Sequence, residues 1–452
     1  MTETPAVDAA PDRGFAASTF RALHHRNYRL FFGGQGLSLF GTWMTLVATR
    51  WLVYEKMPRQ DWILGFVTFA GQIPILLAPL AGAWVESASR HRTLILTQML
   101  SMIQSFALAV LALTGVVEVW QIIALAAFQG FINALDVPAR QAFLIEMVDD
   151  RNDLGNAIAL NSSMFNGARL LGPALAGLIL AQFTGKVGQG AGICFTIDGI
   201  SYFAVIVALL RMSVKPRPAR VSERKIWREM REGFRYSFHS VPIRAILFLL
   251  GIASIFGAPF NVLMPAFAKN ILNGNAGTYG LLLAVSGGGA LLGALYLASR
   301  SSVIGLGRVI AISCGLFAVS VVGFAFSQVL WLSMVLTFTA SAGMMVQMAA
   351  SNTILQTIVE DEMRARVMSF YTLTVMGMIP VGSLLCSGLV VAIGAPYTVA
   401  LGGGVSLLGA IYFILRLPQV RVAARPMLEK AGVLPPLAAG LQAATQQAGE
   451  AA

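Results

Sequence analysis

Charged residues are scarce in this 452-residue chain: Asp, Glu, Lys and Arg make up 12% of it, about half of the roughly 25% typical of soluble proteins. Apolar residues reach 56%. So few charges cannot cover the water-facing surface of the roughly three soluble domains that the length would otherwise suggest. The 45 glycines follow no collagen repeat, and glycine-rich apolar stretches are typical of packed transmembrane helices. The composition therefore predicts an integral membrane protein with many spans.

Cysteine and histidine are also rare. The three cysteines (Cys194, Cys314 and Cys386) lie far apart inside apolar runs and lack metal-ligand spacing, so we expect buried, reduced thiols. The four histidines do not cluster, and the chain has no phosphate-binding loop of the Walker A type. We therefore expect neither a metal nor a cofactor, and a membrane-embedded enzyme or a receptor is a distant alternative. The polar, acidic first 12 residues do not fit a signal peptide.

Hydropathy predicts twelve apolar stretches of about 20 residues, the length that crosses ~30 Å of hydrocarbon. Because a helix satisfies its own backbone hydrogen bonds in lipid, each stretch is predicted to be α-helical. The predicted spans 1–12 cover about residues 30–54, 62–85, 93–114, 119–136, 157–182, 191–210, 244–267, 278–298, 308–326, 329–350, 368–392 and 397–415.

The positive charges are distributed unevenly about these spans. Of the 32 Lys and Arg residues, 26 fall in the termini and in the loops on the same side, 4 fall in the opposite loops, and Arg50 and Arg169 lie inside spans. The positive-inside rule therefore predicts cytoplasmic termini in a bacterial inner or plasma membrane. The same rule accounts for the net charge of +11 without a nucleic-acid partner.

The longest hydrophilic stretch, residues 211–243, separates two six-span bundles at residues 30–210 and 244–415. Its aromatic residues alternate with basic ones, which predicts an amphipathic helix on the membrane surface. Residues 1–29 form a cytoplasmic segment, and we expect the tail, residues 416–452, to be disordered. The loops at residues 146–151 and 357–362 are similar, as expected for a repeat. Two similar bundles around a central site are typical of alternating-access transporters.

Several stretches carry more specific sequence patterns. One loop has a glycine, three residues, an acid and then basic residues. A later span contains a Gly-Pro pair within a glycine-rich helix. The stretches are residues 22–31, 34–43, 82–92, 136–141, 157–162 and 168–177.

Together these stretches resemble the major facilitator superfamily, and within it the enterobactin-exporter-like group. The resemblance covers about residues 20–420 and is most specific in the first half. Ser87 and Ser89 depart from the loop pattern of the superfamily, which usually has a basic residue and a glycine at these positions. It implies an all-α membrane protein whose twelve transmembrane helices form two pseudo-symmetric six-helix bundles. It also implies a monomeric secondary transporter, not an enzyme.

Five charged residues are expected to form a cytoplasmic gate, here called the inner gate. Glu86 ends span 2, and the resemblance implies that it faces the start of span 11, where a carboxylate suits a helix N-terminus. Arg90 or Arg92 is expected to reach Asp136 beside Arg140, tying spans 2 and 4 together while the protein is open outward. The alternative is that the arginines act only as ordinary positive-inside charges.

Span 5 contains Gly167, Gly172, Pro173 and Gly177, which look like the antiporter motif of the superfamily. Proline interrupts the backbone hydrogen bonds of a helix, and glycines thin one of its faces. We expect this segment to bend and to pack closely as the bundles move. The alternative is a plain kinked helix in a crowded bundle.

Two opposite charges lie deep inside neighbouring spans. Arg169 is about 12 residues into span 5 and Asp198 about 7 residues into span 6, which gives similar depths at 1.5 Å per residue. We therefore expect them to pair. The pair is either structural, or Asp198 binds the transported proton and Arg169 modulates it.

Other polar residues in the spans are candidates for a substrate pocket. Arg50, near the outer end of span 1, is expected to snorkel to the headgroups, or else to attract anions to the pocket. Gln72, Gln129 and Asn133 can bond a substrate, although such amides more often join helices.

The sequence thus predicts a secondary active transporter. The resemblance favours a proton-coupled exporter, an antiporter that expels a siderophore or an amphipathic drug-like small molecule. Uptake by proton symport and the flipping of a lysophospholipid are the alternatives. The expected partners are the small-molecule substrate, protons and the lipid bilayer.

Overall fold

The computed structural model describes residues 20–77, 81, 89–148, 150–183, 185–213, 226–300 and 302–434. Within these ranges the chain is helical and contains no strand. The first bundle has six helices: α1 Arg26–Lys56, α2 Trp62–Leu77, α3 Arg90–Leu113, α4 Val119–Leu144, α5 Leu154–Gln182 and α6 Val187–Leu210.

A linker helix, α7 (Ile226–His239), leads to the second bundle. In that bundle α8 begins as Val241–Ile252 and continues through π-helical and 3-10 turns to residue 271. The remaining helices are α9 Ala276–Ala298, α10 Leu306–Phe326, α11 Leu330–Ile358, α12 at residues 361–393 and α13 at residues 395–430.

Twelve of these thirteen helices correspond to the predicted spans. Nine helical stretches in the described residues are long and apolar enough to cross a membrane. The last of them, Asp361–Lys430, breaks at Gly394, whose φ of 79° suits glycine, and therefore contains both α12 and α13. The 31-residue α1 and the shorter apolar α2 complete the set. The predicted all-α architecture of two six-helix bundles is confirmed.

The tail differs from expectation. Helix α13 runs on to Lys430, so the predicted disorder is wrong for residues 416–430, while residues 435–452 lie outside the described ranges. Arg425 and Glu429 pair one turn apart at 2.9 Å, and Met427 and Leu428 pack on the second bundle. These contacts keep the end of α13 helical.

The linker helix docks on the second bundle. Glu232 of α7 pairs with Arg366 of α12 at 2.9 Å, and Tyr236 packs against that bundle's core. Phe234 and Phe238 are exposed in part, and the Phe234 ring meets Phe370 of α12 edge to face, with centroids 6.1 Å apart. The Pro-containing start of the linker lies outside the described residues, and its location on the membrane surface stays a prediction.

Buried apolar residues form three clusters. Because the number of spans is even, the start of α1 and the end of α13 lie on one side, here called the termini side, and the loop at residues 57–61 lies on the other, the far side. One cluster joins both bundles, and its members lie in the far-side parts of the helices. The other two lie on the termini side, one in each bundle. The described residues therefore share one core on the far side and have separate cores on the termini side. All three cysteines are buried and unpaired, as expected.

Candidate functional site

The interface between the bundles is closed on the far side by α1. The Tyr54 hydroxyl donates to Oδ1 of Asn270 in α8 at 2.7 Å. One turn earlier, the Trp51 ring stacks on Tyr279 of α9, with centroids 6.1 Å apart and planes 18° apart. Both contacts cross from one bundle to the other. They complement the shared apolar core and hold the far side closed.

Arg50 also points across the interface. Its guanidinium lies 3.5 Å from the carbonyl oxygen of Asn261 in α8. The expected snorkelling of Arg50 to the outer headgroups is not seen, because its guanidinium is directed toward the second bundle.

Two glycines of the span 5 motif lie at close contacts. A Cβ atom at Gly177 would lie 2.9 Å from Cα of Gly280 in α9, and one at Gly172 would lie 2.6 Å from Cβ of Trp43 in α1. A Cβ at Gly167 would meet no atom within 4 Å. Helix α5 is continuous through Pro173. In this conformation Gly172 and Gly177 serve close packing, and the role of the motif in bending stays a prediction.

Asp198 of α6 is buried where α1, α3 and α6 meet. Its Oδ2 accepts hydrogen bonds from Thr45 of α1 and Ser105 of α3, both at 2.8 Å. Its Oδ1 has no hydrogen-bond partner among the described residues. A Cβ at Gly41 would lie 2.6 Å from Oδ1, so only glycine leaves room there. The site is a carboxylate between two hydroxyl groups, enclosed by three helices.

The second bundle has the same junction without a charge. Span order makes α8, α10 and α13 the counterparts of α1, α3 and α6. There Ser406 is buried, its carbonyl accepts from the Cys314 thiol at 3.9 Å, and a Cβ at Gly257 would lie 3.0 Å from its Oγ. A neutral serine thus occupies the position that corresponds to Asp198.

Arg169 of α5 is half-buried and lies against aromatic rings. Its Cζ is 5.9 Å from the centroid of the Trp43 ring, within cation–π range. The Trp43 ring meets Phe165 edge to face, with centroids 5.9 Å apart. No ion pair of the described residues includes Arg169.

The predicted pair of Arg169 and Asp198 is therefore not formed. Arg169 contacts Trp43, whereas Asp198 accepts from Thr45. These two α1 residues are two positions apart, which turns a helix by roughly 200° at 3.6 residues per turn. The depths were judged correctly, but α1 stands between the two charges.

The expected inner-gate pairs are also replaced. Asp136 of α4 accepts from Thr97 and Gln98 of α3, each at 2.8 Å, and pairs with Arg140 one turn along its own helix. Arg90 does not reach Asp136 but binds Glu146 at 2.6 Å.

The remaining gate residues contribute no such contact. Arg92 is exposed, and Glu86 lies outside the described residues. The contacts found therefore tie α3 to α4 and to the segment after α4. The closing of an inner gate by these residues stays a prediction.

Among the predicted pocket amides, Gln129 joins two helices. The Gln129 amide donates to Ser101 of α3 at 3.0 Å and to Asn133 at 3.1 Å. Asn133 is exposed, and Gln72 is half-buried at the end of the regular part of α2. The structure brings Gln129 and Asn133 together, and Gln72 lies on a different helix.

Sequence reasoning missed the residues that hold the two deep charges. Thr45, Ser105 and Trp43 are single residues in long apolar runs, where hydroxyl groups and aromatic rings are ordinary. They could have been found only by counting helical turns from one residue that was already known to contact Asp198 or Arg169. Such a first contact is itself known only from the packing of α1 against its neighbouring helices.

Comparisons with known proteins agree with this architecture. Residues 17–441 match the family described as transmembrane secretion effector. The chain is 27% identical over 365 residues to the staphyloferrin A transporter of Staphylococcus aureus (strain NCTC 8325 / PS 47), covering 79% of this chain and 88% of that protein. It is 28% identical over 404 residues to the multidrug efflux pump Tap of Mycolicibacterium fortuitum, covering 85% and 95%.

Among solved structures, a POT family transporter in complex with 5-aminolevulinic acid superposes with a TM-score of 0.67 at 12% identity. The match covers 86% of this chain and 96% of that one. At this identity the likeness shows the fold alone.

Proposed function

The chain belongs to the transmembrane secretion effectors of the major facilitator superfamily, and from that membership we propose that it is a proton-coupled exporter. Its family and relatives make it a transporter and not an enzyme. The proposed substrate is a siderophore or an amphipathic drug-like molecule. The names of two relatives, a siderophore transporter and a multidrug efflux pump, support this class.

The observation that carries the proposal is the one-sided closure of the interface. The bundles share an apolar core on the far side and have separate cores on the termini side. A rocking transporter needs two such states, each closed on one side of a central site. With 26 of 32 Lys and Arg residues on the termini side, we assign that side to the cytoplasm. In the proposed direction of transport, this is the state that loads substrate from the cytoplasm.

Asp198 is the proposed proton carrier. Its junction with α1 and α3 has a neutral counterpart around Ser406 in the second bundle, so packing alone does not require a charge there. As a carboxylate it only accepts hydrogen bonds, whereas with a proton bound it can also donate one. Protonation therefore changes the contacts that α6 makes with α1 and α3. Such a change couples proton binding to the movement of α1, which forms the far-side contacts.

Asp136 fits the role less well. It is buried, but Arg140 on the same helix compensates its charge. Two α3 side chains fix its other contacts. Asp136 is therefore proposed to hold α3 and α4 together on the termini side.

Transport in everted membrane vesicles tests the function. These vesicles expose the cytoplasmic face, so an acidic lumen should drive accumulation of an exported substrate from a panel of siderophores, dyes and antibiotics. Collapse of the gradient with a protonophore should release it, and vesicles without the protein are the control. Gradient-driven accumulation only in right-side-out vesicles would instead establish uptake. Movement of a fluorescent lysophospholipid in the absence of any accumulated solute would favour the flippase.

A further inference from the structure

Arg169 is a charge at mid-depth that no acid compensates. It lies near the middle of Leu154–Gln182, roughly 20 Å from either end at 1.5 Å per residue. The described residues give it no carboxylate, since Asp198 faces the other side of α1. An uncompensated arginine at this depth is costly, and such residues face a cavity or a ligand pathway. Its presence therefore indicates an anion that is bound only part of the time.

One aromatic ring lies against this cation, and a second ring contacts the first. Phe165 lies one turn before Arg169 on the same face of α5, and 46% of it is exposed. Its ring meets Trp43, over which the guanidinium lies. A ligand that binds the outer nitrogens of Arg169 would place its adjoining atoms against these rings. The arrangement suits a carboxylate attached to a planar ring, because guanidinium binds carboxylate in two parallel hydrogen bonds and rings stack.

The position lies between the two bundles. A Cβ atom at Gly287, in the middle of α9, would lie 2.8 Å from the carbonyl oxygen of Arg169. The residue thus belongs to the first bundle and touches the second. Transporters of this kind bind substrates near the midplane, where their repeats meet.

We infer that Arg169, Trp43 and Phe165 form a subsite for an aryl carboxylate group of the transported molecule. The inference rests on the proposed function and narrows its substrate to anions. The subsite and the proton carrier are separate: α1 divides them, so a bound anion and a proton on Asp198 do not compete for one group. Movement of α1 changes both environments at once.

Equilibrium binding tests the subsite without any gradient. The full-length protein in nanodiscs is titrated at neutral pH with 2-naphthoate and with its neutral isostere 2-naphthamide, and empty nanodiscs are subtracted. The wild-type protein should bind the carboxylate at least about tenfold more tightly, the factor expected for a charge-assisted hydrogen bond. Arg169→Gln should remove this preference and leave binding of the amide unchanged. Arg416→Gln is the matched control and should keep the preference, because Arg416 also lies over an aromatic ring, that of Tyr412, but is exposed on α13.

Three results would overturn the subsite: a wild-type protein without the preference, an Arg169→Gln protein that keeps it, or its equal loss in Arg416→Gln. If Arg169→Gln binds neither ligand, the same titration is made with Arg169→Lys, because that variant keeps the positive charge. A retained preference for the carboxylate in that variant supports the subsite, and a lost one contradicts it. Because no gradient is applied, a failure of gradient-driven transport would contradict the proposed function and leave this binding result intact.

Discussion

Gly177 of α5 and Gly280 of α9 bring the backbones of the two bundles into contact. A Cβ atom at Gly280 would lie 2.6 Å from the carbonyl oxygen of Pro173, and one at Gly177 would lie 2.9 Å from Cα of Gly280. Neither position can accept a methyl group unless the helices separate. The contact lies in the far-side part of the interface, and we expect it to separate when that side opens.

We predict that Gly177→Ala disfavours the far-side-closed state. The added methyl group meets backbone, and overpacking of this kind costs roughly 1–3 kcal/mol. The measurement is labelling of Asn261→Cys by a membrane-impermeant maleimide, which should be faster in the Gly177→Ala background.

Gly167→Ala is the matched control on the same helix, since its Cβ would meet no atom within 4 Å. It should leave labelling unchanged and leave thermal stability unchanged or slightly higher, because alanine favours helix. Equal labelling rates in the two backgrounds would refute the idea that this contact holds the far side closed.

The sequence predicts best those features of the molecule that depend on composition along the chain. Twelve spans, two bundles and the burial of Asp198 follow from hydropathy alone, because lipid imposes helices and excludes charge. The partners of Asp198 do not follow, because residue counting measures depth along a helix and says nothing of the face. Trp43 and Thr45 are two positions apart in the sequence and face opposite sides of α1.

The ion pairs on the termini side could not be predicted from the sequence for the same reason. Arg90 and Arg140 are equally plausible partners for Asp136 by charge, but Arg140 lies one turn away on the same helix. Arg90 is then free to pair with Glu146. Only the packing of α3 against α4 distinguishes these arrangements.

We predict that Tyr54→Phe loosens the far side without unfolding the protein. The change removes the hydrogen bond to Asn270, which is worth about 0.5–1.5 kcal/mol. Labelling of Asn261→Cys should therefore rise by up to about tenfold. Tyr397→Phe is the control, because this exposed far-side tyrosine forms no hydrogen bond through its hydroxyl in the described part of the chain. A similar rise in both variants would show that the Tyr54 bond has no special part in closure.

We predict that Asp136→Asn lowers stability as well as transport. The carboxylate accepts hydrogen bonds from Thr97 and Gln98 and compensates the charge of Arg140. The asparagine amide has no charge, and its NH2 group would face at least one of these donors. The expected loss is about 1–3 kcal/mol, seen as a lower melting temperature in detergent. Glu146→Gln breaks only a partly exposed pair with Arg90 and should cost no more than about 1 kcal/mol. An Asp136→Asn protein that is as stable as Glu146→Gln would contradict the assignment.

We predict that docking of the linker helix α7 weakens in acid. A hydrogen bond from Arg228, and then the charge of Arg366, lower the pKa of the exposed Glu232 below its ordinary 4.5. Arg228 lies on α7 itself, so only the lowering by Arg366 of α12 depends on docking. Through that pair docking favours the ionised form, and this contribution is complete above pH 4.5 and is lost as pH falls through the lowered value. Spin labels on α7 and α12 should therefore report separation below that pH.

Glu232→Gln is the matched variant for this titration. It should show the greater separation of the labels already at neutral pH and no further change on acidification. A pH-independent distance in the unsubstituted chain would exclude Glu232 as the determinant of docking.

The last prediction concerns energy coupling. One proton crossing 100 mV provides roughly 2.3 kcal/mol, and two such steps support about a thousandfold concentration ratio at 1.4 kcal/mol per tenfold. Some carboxylate must then change protonation as the site alternates. Asp198→Asn cannot do so, yet its amide can still bond to Thr45 and Ser105, so the fold should persist. We expect this variant to lose gradient-driven accumulation in everted vesicles and to keep counterflow exchange at equal concentrations.

Ser105→Ala is the matched control: it removes one hydrogen bond to the same carboxylate and leaves the titrating group, so coupling should survive with an altered pH profile. An Asp198→Asn protein that still builds a gradient would assign coupling to another residue and leave Asp198 a structural acid among three helices.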